Sequence, residues 1–202
     1  MFYKFVRGAV RIFYRIVFRA KVEGIENIPK DENFIFCPNH KSLHDAPLLS
    51  CVPLDMRFMA KEELFRNPFS RLFFKSMGAF PVKRGKSDIG ALKAALKVLS
   101  DGEILGMFPE GVRSFNDYME KGKPGAALIA IKSKVKILPV GICGKYRLFE
   151  KMIVRIGKPI DLSEYYGTKP DGETLQQIID EKVMPAISCL SEVPTYENRN
   201  CR

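Results

Sequence analysis

Apolar residues run along this chain in two rhythms: short unbroken runs, and longer stretches in which they return every three or four positions. The short runs at 34–37, 57–60, 78–82, 103–108, 135–140 and 152–156 read as strands. Helical patterns lie between them. Over 87–100 the residues Ile89, Leu92, Leu96 and Leu99 share one face, with Ser87 as the cap and Gly102 just past the end. Residues 62–77 read as helical with Pro68 at a break or restart, 124–132 as a short helix opening on proline, and 173–190 as a closing helix. Strands and helices alternating in this order predict an α/β fold: a single domain with an open, mostly parallel but mixed sheet flanked by helices.

Residues 1–19 follow another pattern. Lys4, Arg7, Arg11, Arg15 and Arg19 form one basic stripe on a helix, and Phe2, Phe5, Val6, Val10, Phe13, Ile16 and Val17 cover the rest. A spanning helix needs about 20 nearly uncharged residues and a signal peptide an uninterrupted apolar centre; neither is present. The pattern predicts an amphipathic helix lying in the membrane interface, arginines at the headgroups and aromatics below. Each basic residue near an anionic surface contributes about 1 kcal/mol, so the stripe is expected to supply much of the attachment. The expected location is the cytoplasmic face of the cell membrane, peripheral or monotopic. The competing reading is a terminal helix packed on the domain with a solvated basic face. The expected organisation is a membrane-associating helix over 1–20, a domain over 21–190 and a polar tail over 191–202.

Composition narrows the partners. The 202 residues suit one domain with a substantial core. A net charge of +10 points to an anionic partner: nucleic acid, an acidic membrane surface or a phosphorylated substrate. No recognition motif accompanies the charge, so nucleic acid is not expected. The five cysteines are scattered without a C-x-x-C pair and predict free thiols in a reducing compartment.

Both histidines fall in Asn39-His40-Lys41-Ser42-Leu43-His44-Asp45, so imidazole chemistry is confined to this stretch. The apolar run before it ends at Pro38 and delivers His40 to the end of a strand. Ser42 and Asp45 have the S-x-x-D spacing of a helix start, with 46–52 as the apolar body. His40 and Asp45 stand about 140° apart on a regular helix, so they meet only with His40 in the loop and Asp45 in the first turn. Asp45 then fixes the tautomer and stabilises the imidazolium, and the other ring nitrogen faces a substrate hydroxyl. His40 and His44 also have the spacing of a zinc helix. Lys41 replaces the glutamate of H-E-x-x-H, however, and there is no third histidine, so no metal is expected. Taken alone, this stretch leaves open a capping role for Asp45 and a plain loop role for His40.

Asn39-His40-x-Ser42-x-x-Asp45 resembles the first block of the glycerolipid acyltransferases, above all the 1-acylglycerol-3-phosphate acyltransferases with their H-x4-D pair. Gly78-Ala79-Phe80-Pro81-Val82-Lys83-Arg84, Phe108-Pro109-Glu110-Gly111-Val112-Arg113-Ser114 and Ile137-Leu138-Pro139-Val140-Gly141 follow in that family's order. Val112 departs from the family's usual threonine, while the turn and Arg113 are kept. The resemblance covers roughly residues 20 to 190 and makes 21–190 a glycerolipid acyltransferase catalytic domain.

The resemblance implies transfer of an acyl group from an acyl thioester, acyl-CoA or acyl carrier protein, to the sn-2 hydroxyl of lysophosphatidic acid. Phosphatidic acid is the product. No cofactor is expected beyond the thioester co-substrate. His40 is the expected base, oriented by Asp45, and no acyl-enzyme is expected because Ser42 has no nucleophile-elbow setting. The resemblance assigns the acceptor phosphate to Lys61 and Arg113, with Arg84 as a further candidate; arginine's planar fork suits phosphate oxygens. Glu110 is expected to organise these cations or the acceptor hydroxyl, kept ionised by positive surroundings. Gly111 and Ser114 complete the expected substrate-binding set, and a backbone amide near 78–84 or at Gly111 is the expected oxyanion donor. Leu64, Phe65, Phe69, Leu72, Phe73 and Phe74 are either core or a wall for an acyl chain. The alternatives are an acyltransferase for another lysolipid and a non-catalytic basic protein docking on anionic membrane.

Overall fold

Strand β2 (Phe34–Pro38) is buried at every position, because helices cover both faces of the sheet it lies in. Phe34 and Phe36 point into one core layer, and Ile35 and Cys37 into the other. The computed structural model describes residues 2–82 and 89–198, and the predicted cap Ser87 and the pair Lys83 and Arg84 lie outside the described residues.

The other strands are β1 (Lys21–Glu23), β3 (Met56–Lys61), β4 (Ala79–Val82), β5 (Ile104–Gly106), β6 (Lys136–Cys143) and β7 (Ile153–Ile156). They form one seven-stranded sheet in the order β1-β7-β6-β2-β5-β3-β4. The five strands from β6 to β4 are mutually parallel, and β7 turns back antiparallel to β6 with β1 alongside it. The sheet is therefore mixed and mostly parallel, as the alternating pattern predicts. The strand β1 is not foreseen. Exposed Lys21 and Glu23 flank a half-buried Val22, a run too short to announce a strand, and backbone pairing with β7 makes it one.

One face of the sheet carries α4 (Ile89–Ser100), α5 (Gly125–Ser133), α6 (Gly172–Ile178) and α7 (Met184–Ser191), the last two joined by a π-helical turn at Ile179–Val183. Gly141 of β6 lets α7 approach: a Cβ there would lie 2.2 Å from the carbonyl carbon of Leu190. The other face carries α1 (Phe2–Val17), α2 (Asp45–Leu48) and α3 (Pro68–Ser76). Pro68 restarts the helix at α3, capped by Asn67, which accepts from the amide of Phe69 at 2.8 Å. The polar tail is corrected in part, since Val193 and Thr195 are buried and Pro194 accepts the amide of Met119 at 2.8 Å.

Helix α1 also departs from expectation. Arg7 bonds the Asp55 carboxylate and the Leu54 carbonyl, and Arg11 donates to the Ser50 carbonyl at 2.7 Å. The Ser50 carbonyl lies in the short 3-10 turn Leu49–Cys51 and Leu54 follows that turn; guanidinium groups satisfy both carbonyls well. Part of the basic stripe thus faces the domain instead of headgroups. Tyr14 and Phe18 are buried, and Phe5, Ile12, Phe13 and Ile16 are left exposed. Helix α3 lies against α1 and exposes Phe69, Leu72 and Phe73, while Phe65 enters the core with Leu64 and Phe74 packed on it. Leu148 and Phe149 add to the same surroundings, the Phe149 amide donating to Val17 at 2.7 Å. Exposed apolar residues grouped in this way mark a docking surface. Among the described residues, no helix is long and apolar enough to cross a membrane.

Candidate active site

Parallel neighbours β2, β5 and β3 end at the same edge of the sheet, and the loops that leave them build the site, as open α/β sheets generally arrange. The loop after β2 carries the histidine stretch. It is pinned to β6 by Asn39, whose Oδ1 accepts the Ile142 amide at 2.7 Å and whose Nδ2 donates to the Ile142 carbonyl at 3.2 Å. The loop after β5 is tied to it as well: the Ser114 amide donates to the His40 carbonyl at 2.8 Å.

His40 Nδ1 lies 2.9 Å from Asp45 Oδ2. Asp45 is fully buried, and the His40 side chain is 18% exposed. The same oxygen accepts the amides of Lys41 and Ser42, each at 2.7 Å, and Oδ1 accepts the Tyr146 hydroxyl at 2.6 Å. With Nδ1 carrying the proton given to Asp45, Nε2 holds a lone pair and has no hydrogen-bond partner among the described residues. The ring stacks on Phe108 at 3.8 Å and 18°, and Phe108 on Phe58, so its plane is set by the strands below. The capping alternative is also partly realised, since Asp45 reaches back to the Ser42 amide. Ser42 does not reciprocate: its hydroxyl accepts from the His44 amide at 3.1 Å, and α2 runs only from Asp45 to Leu48 before tightening into a 3-10 turn. One carboxylate thus shapes the turn and orients the ring.

His44 is no partner of Asp45. Its Nδ1 meets the Tyr14 hydroxyl of α1 at 2.6 Å, and its ring lies against those of Phe18 and Tyr146.

Glu110 corrects an expectation. It is 1% exposed, and its oxygens accept the amides of His40 at 2.7 Å and Glu120 at 2.8 Å. Loss of solvent pushes its carboxyl up to about 7, the two amides pull it down, and the charges acting on it are the carboxylates of Asp45 and Glu120, not cations. Glu110 clasps the two loops together. Ser114 is committed likewise, buried with its hydroxyl donating to the Tyr118 carbonyl at 2.6 Å. Both are buried and already hydrogen-bonded within the protein. Gly111 sits at φ +70 in the turn, where a side chain would be strained and would meet Lys123.

The Glu110 carboxyl has a signature. With its pKa raised, the folded state binds the proton more tightly, so its contribution to stability is full below the usual carboxylate range and is lost as pH rises through about 7. Relative to Glu110→Gln, the wild type should lose roughly 3 kcal/mol between about pH 4 and about pH 8. Urea melts of both proteins at the two pH values measure this, and parallel curves would refute it.

Lys61 ends β3 and is exposed; Arg113 lies in the loop after β5, half-buried, its guanidinium 5.4 Å from the centre of the Phe115 ring. Neither forms an ion pair among the described residues. Both therefore stand at the edge where the loops of β2 and β5 converge, with positive charge uncommitted. The third expected cation, Arg84, lies outside the described residues. Tyr146 is the residue that motif reading misses. It lies in the β6–β7 loop outside every matched block, and only the fold brings it to Asp45.

A family model described as acyltransferase matches residues 19–143. A 1-acyl-sn-glycerol-3-phosphate acyltransferase of Bacillus subtilis is 33% identical over 170 residues, covering 81% of this chain and 84% of the relative. Another of that name from Streptococcus pneumoniae is 35% identical over 183 residues, covering 85% and 67%. The crystal structure of the 1-acyl-sn-glycerophosphate (LPA) acyltransferase PlsC from Thermotoga maritima superposes with a TM-score of 0.71 at 31% identity, covering 93% of this chain and 80% of that one. The chain belongs to the acyltransferase family, among the 1-acyl-sn-glycerol-3-phosphate acyltransferases.

Proposed function

We propose that this acyltransferase moves a fatty acyl group from acyl-CoA or acyl carrier protein to the free sn-2 hydroxyl of lysophosphatidic acid, with His40 as the general base. The observation that carries the proposal is the 2.9 Å contact between His40 Nδ1 and a fully buried Asp45, which leaves Nε2 as the working nitrogen. The hydroxyl is a poor nucleophile until its proton is taken as the new bond forms. Nε2 takes that proton while the oxygen attacks the thioester carbonyl, and Asp45 steadies the resulting imidazolium. Collapse of the tetrahedral intermediate breaks the carbon–sulfur bond, and the thiolate recovers the proton from His40. Phosphatidic acid and free thiol leave, and the histidine is neutral again. No residue need be acylated.

Lys61 and Arg113 supply cations at the same sheet edge for the acceptor's phosphate. The exposed apolar surface of α1 and α3 rests on the bilayer that holds both lipid acceptor and product, with Arg15 and Arg19, both exposed, available to anionic headgroups.

The test is an assay of purified protein with each thioester against a panel of lysolipids, following thiol release and product mass. Lysophosphatidic acid should be the preferred acceptor. Lys61→Ala and Arg113→Ala should each raise its KM roughly tenfold, the scale of one charged hydrogen bond, and leave the donor's KM alone. Equal effects on an acceptor without phosphomonoester would overturn the phosphate assignment, and thiol release with no lysolipid would overturn the reaction.

A further inference from the structure

We infer that Tyr146 is a positioning residue for the His40–Asp45 pair, holding the carboxylate from the side opposite the imidazole. This deepens the functional reading above and rests on it. Asp45 offers two oxygens. Oδ2 carries the His40 ring and two backbone amides, and Oδ1 is held by the Tyr146 hydroxyl at 2.6 Å. That hydroxyl is the brake on rotation of the carboxylate about its own axis, because the other three donors all converge on Oδ2. Burial and the Asp45 charge both push the Tyr146 phenol upward, so it stays a donor.

The tyrosine is itself gripped. Its ring meets Phe18 edge to face at 5.7 Å and lies 5.2 Å from the His44 ring. His44 is held by Tyr14, and the loop carrying Tyr146 is stitched to the end of α1 where Val17 accepts the Phe149 amide and Phe18 the Met152 amide. The N-terminal helix thus bears on the catalytic carboxylate through two aromatic contacts. A tyrosine that merely filled space would need the ring and not the hydroxyl; a positioning residue needs the hydroxyl aimed at Oδ1. The other titratable groups around the pair are Glu110, Tyr14, His44 and Lys41, and Tyr146→Phe leaves all of them in place.

Tyr146→Phe keeps the ring packing and removes only the donor. Steady-state kinetics with lysophosphatidic acid and acyl-CoA should show kcat lowered about tenfold, with both KM values within about twofold of wild type. The NMR resonance of the His40 Nδ1 proton, which reports the bond to Asp45, should move from its wild-type position. The chain has only two histidines, so His40→Ala and His44→Ala assign the ring signals. An unchanged resonance with unchanged kcat overturns the inference, and a raised acceptor KM at unchanged kcat overturns it in favour of substrate contact. A shifted resonance in a protein whose wild type ignores lysophosphatidic acid keeps the positioning role and sinks the acceptor reading instead.

Discussion

Purified His40→Ala should fold as the wild type does and transfer acyl groups about 10²- to 10⁴-fold more slowly, the range a positioned base supplies. The imidazole makes one hydrogen bond to Asp45 and one stacking contact with Phe108. Its loss leaves the carboxylate with the amides of Lys41 and Ser42 and the Tyr146 hydroxyl, so the buried charge stays solvated by protein. Proton removal is needed only in the transition state, so kcat should carry the loss and KM for both substrates should stay near wild type. Thiol release and a thermal melt on the same preparation measure the two halves of this expectation. His44→Ala is the comparison: that ring bonds Tyr14 and never reaches Asp45, so its effect on kcat should be small. Undiminished turnover in His40→Ala would leave the site without its base.

The histidine stretch was legible because its chemistry is local. His40 and Asp45 are close in sequence, a strand end and a helix start are both marked by residue type, and loop flexibility closes the remaining angle. The strands were legible for a related reason. A sheet covered on both faces makes its central strands apolar throughout, and such runs announce themselves. What escaped was set by distant partners. Strand β1 exists only through pairing with β7, and Tyr146 reaches Asp45 across 101 positions of sequence. Glu110 illustrates a subtler failure. Arg113 stands three positions away and suggests a cationic environment, yet the turn at Gly111 lets the carboxylate point inward to two amides while the guanidinium lies against Phe115.

The N-terminal helix teaches the same lesson about direction. A period of three to four puts Arg7, Arg11 and Arg15 on one stripe of α1, while Arg19 lies past the helix end at φ +43, and periodicity cannot say what that stripe faces. The carbonyls of Ser50 and Leu54 decided it, by accepting from the guanidinium groups of Arg11 and Arg7. The consequence is that α1 is fastened to the domain by charge and presents hydrocarbon outward. The buried Tyr14 of α1 and Phe18 just past its end lie beside the histidine stretch, so the surface proposed to meet the bilayer and the proposed catalytic pair share one wall.

Asp45 should be the less forgiving half of the pair. In Asp45→Asn the single amide oxygen can still face His40, Lys41 and Ser42, and the Tyr146 hydroxyl can rotate to accept from the new NH2. The geometry then survives while the charge that stabilises the imidazolium is gone, and activity should fall on the order of 10³-fold or more. In Asp45→Ala the two amides and the hydroxyl are left buried without an acceptor. Stripping one partner from a buried charged network costs about 3–5 kcal/mol, so this variant should unfold at markedly lower urea than either His40→Ala or Asp45→Asn. The asymmetry is the informative part: removing the base leaves a satisfied carboxylate, whereas removing the carboxylate leaves three unsatisfied donors and an undirected ring. Equal stability of the two alanine variants in urea melts would mean that the network around Asp45 does not hold the loop, and the orientation of His40 would need another cause.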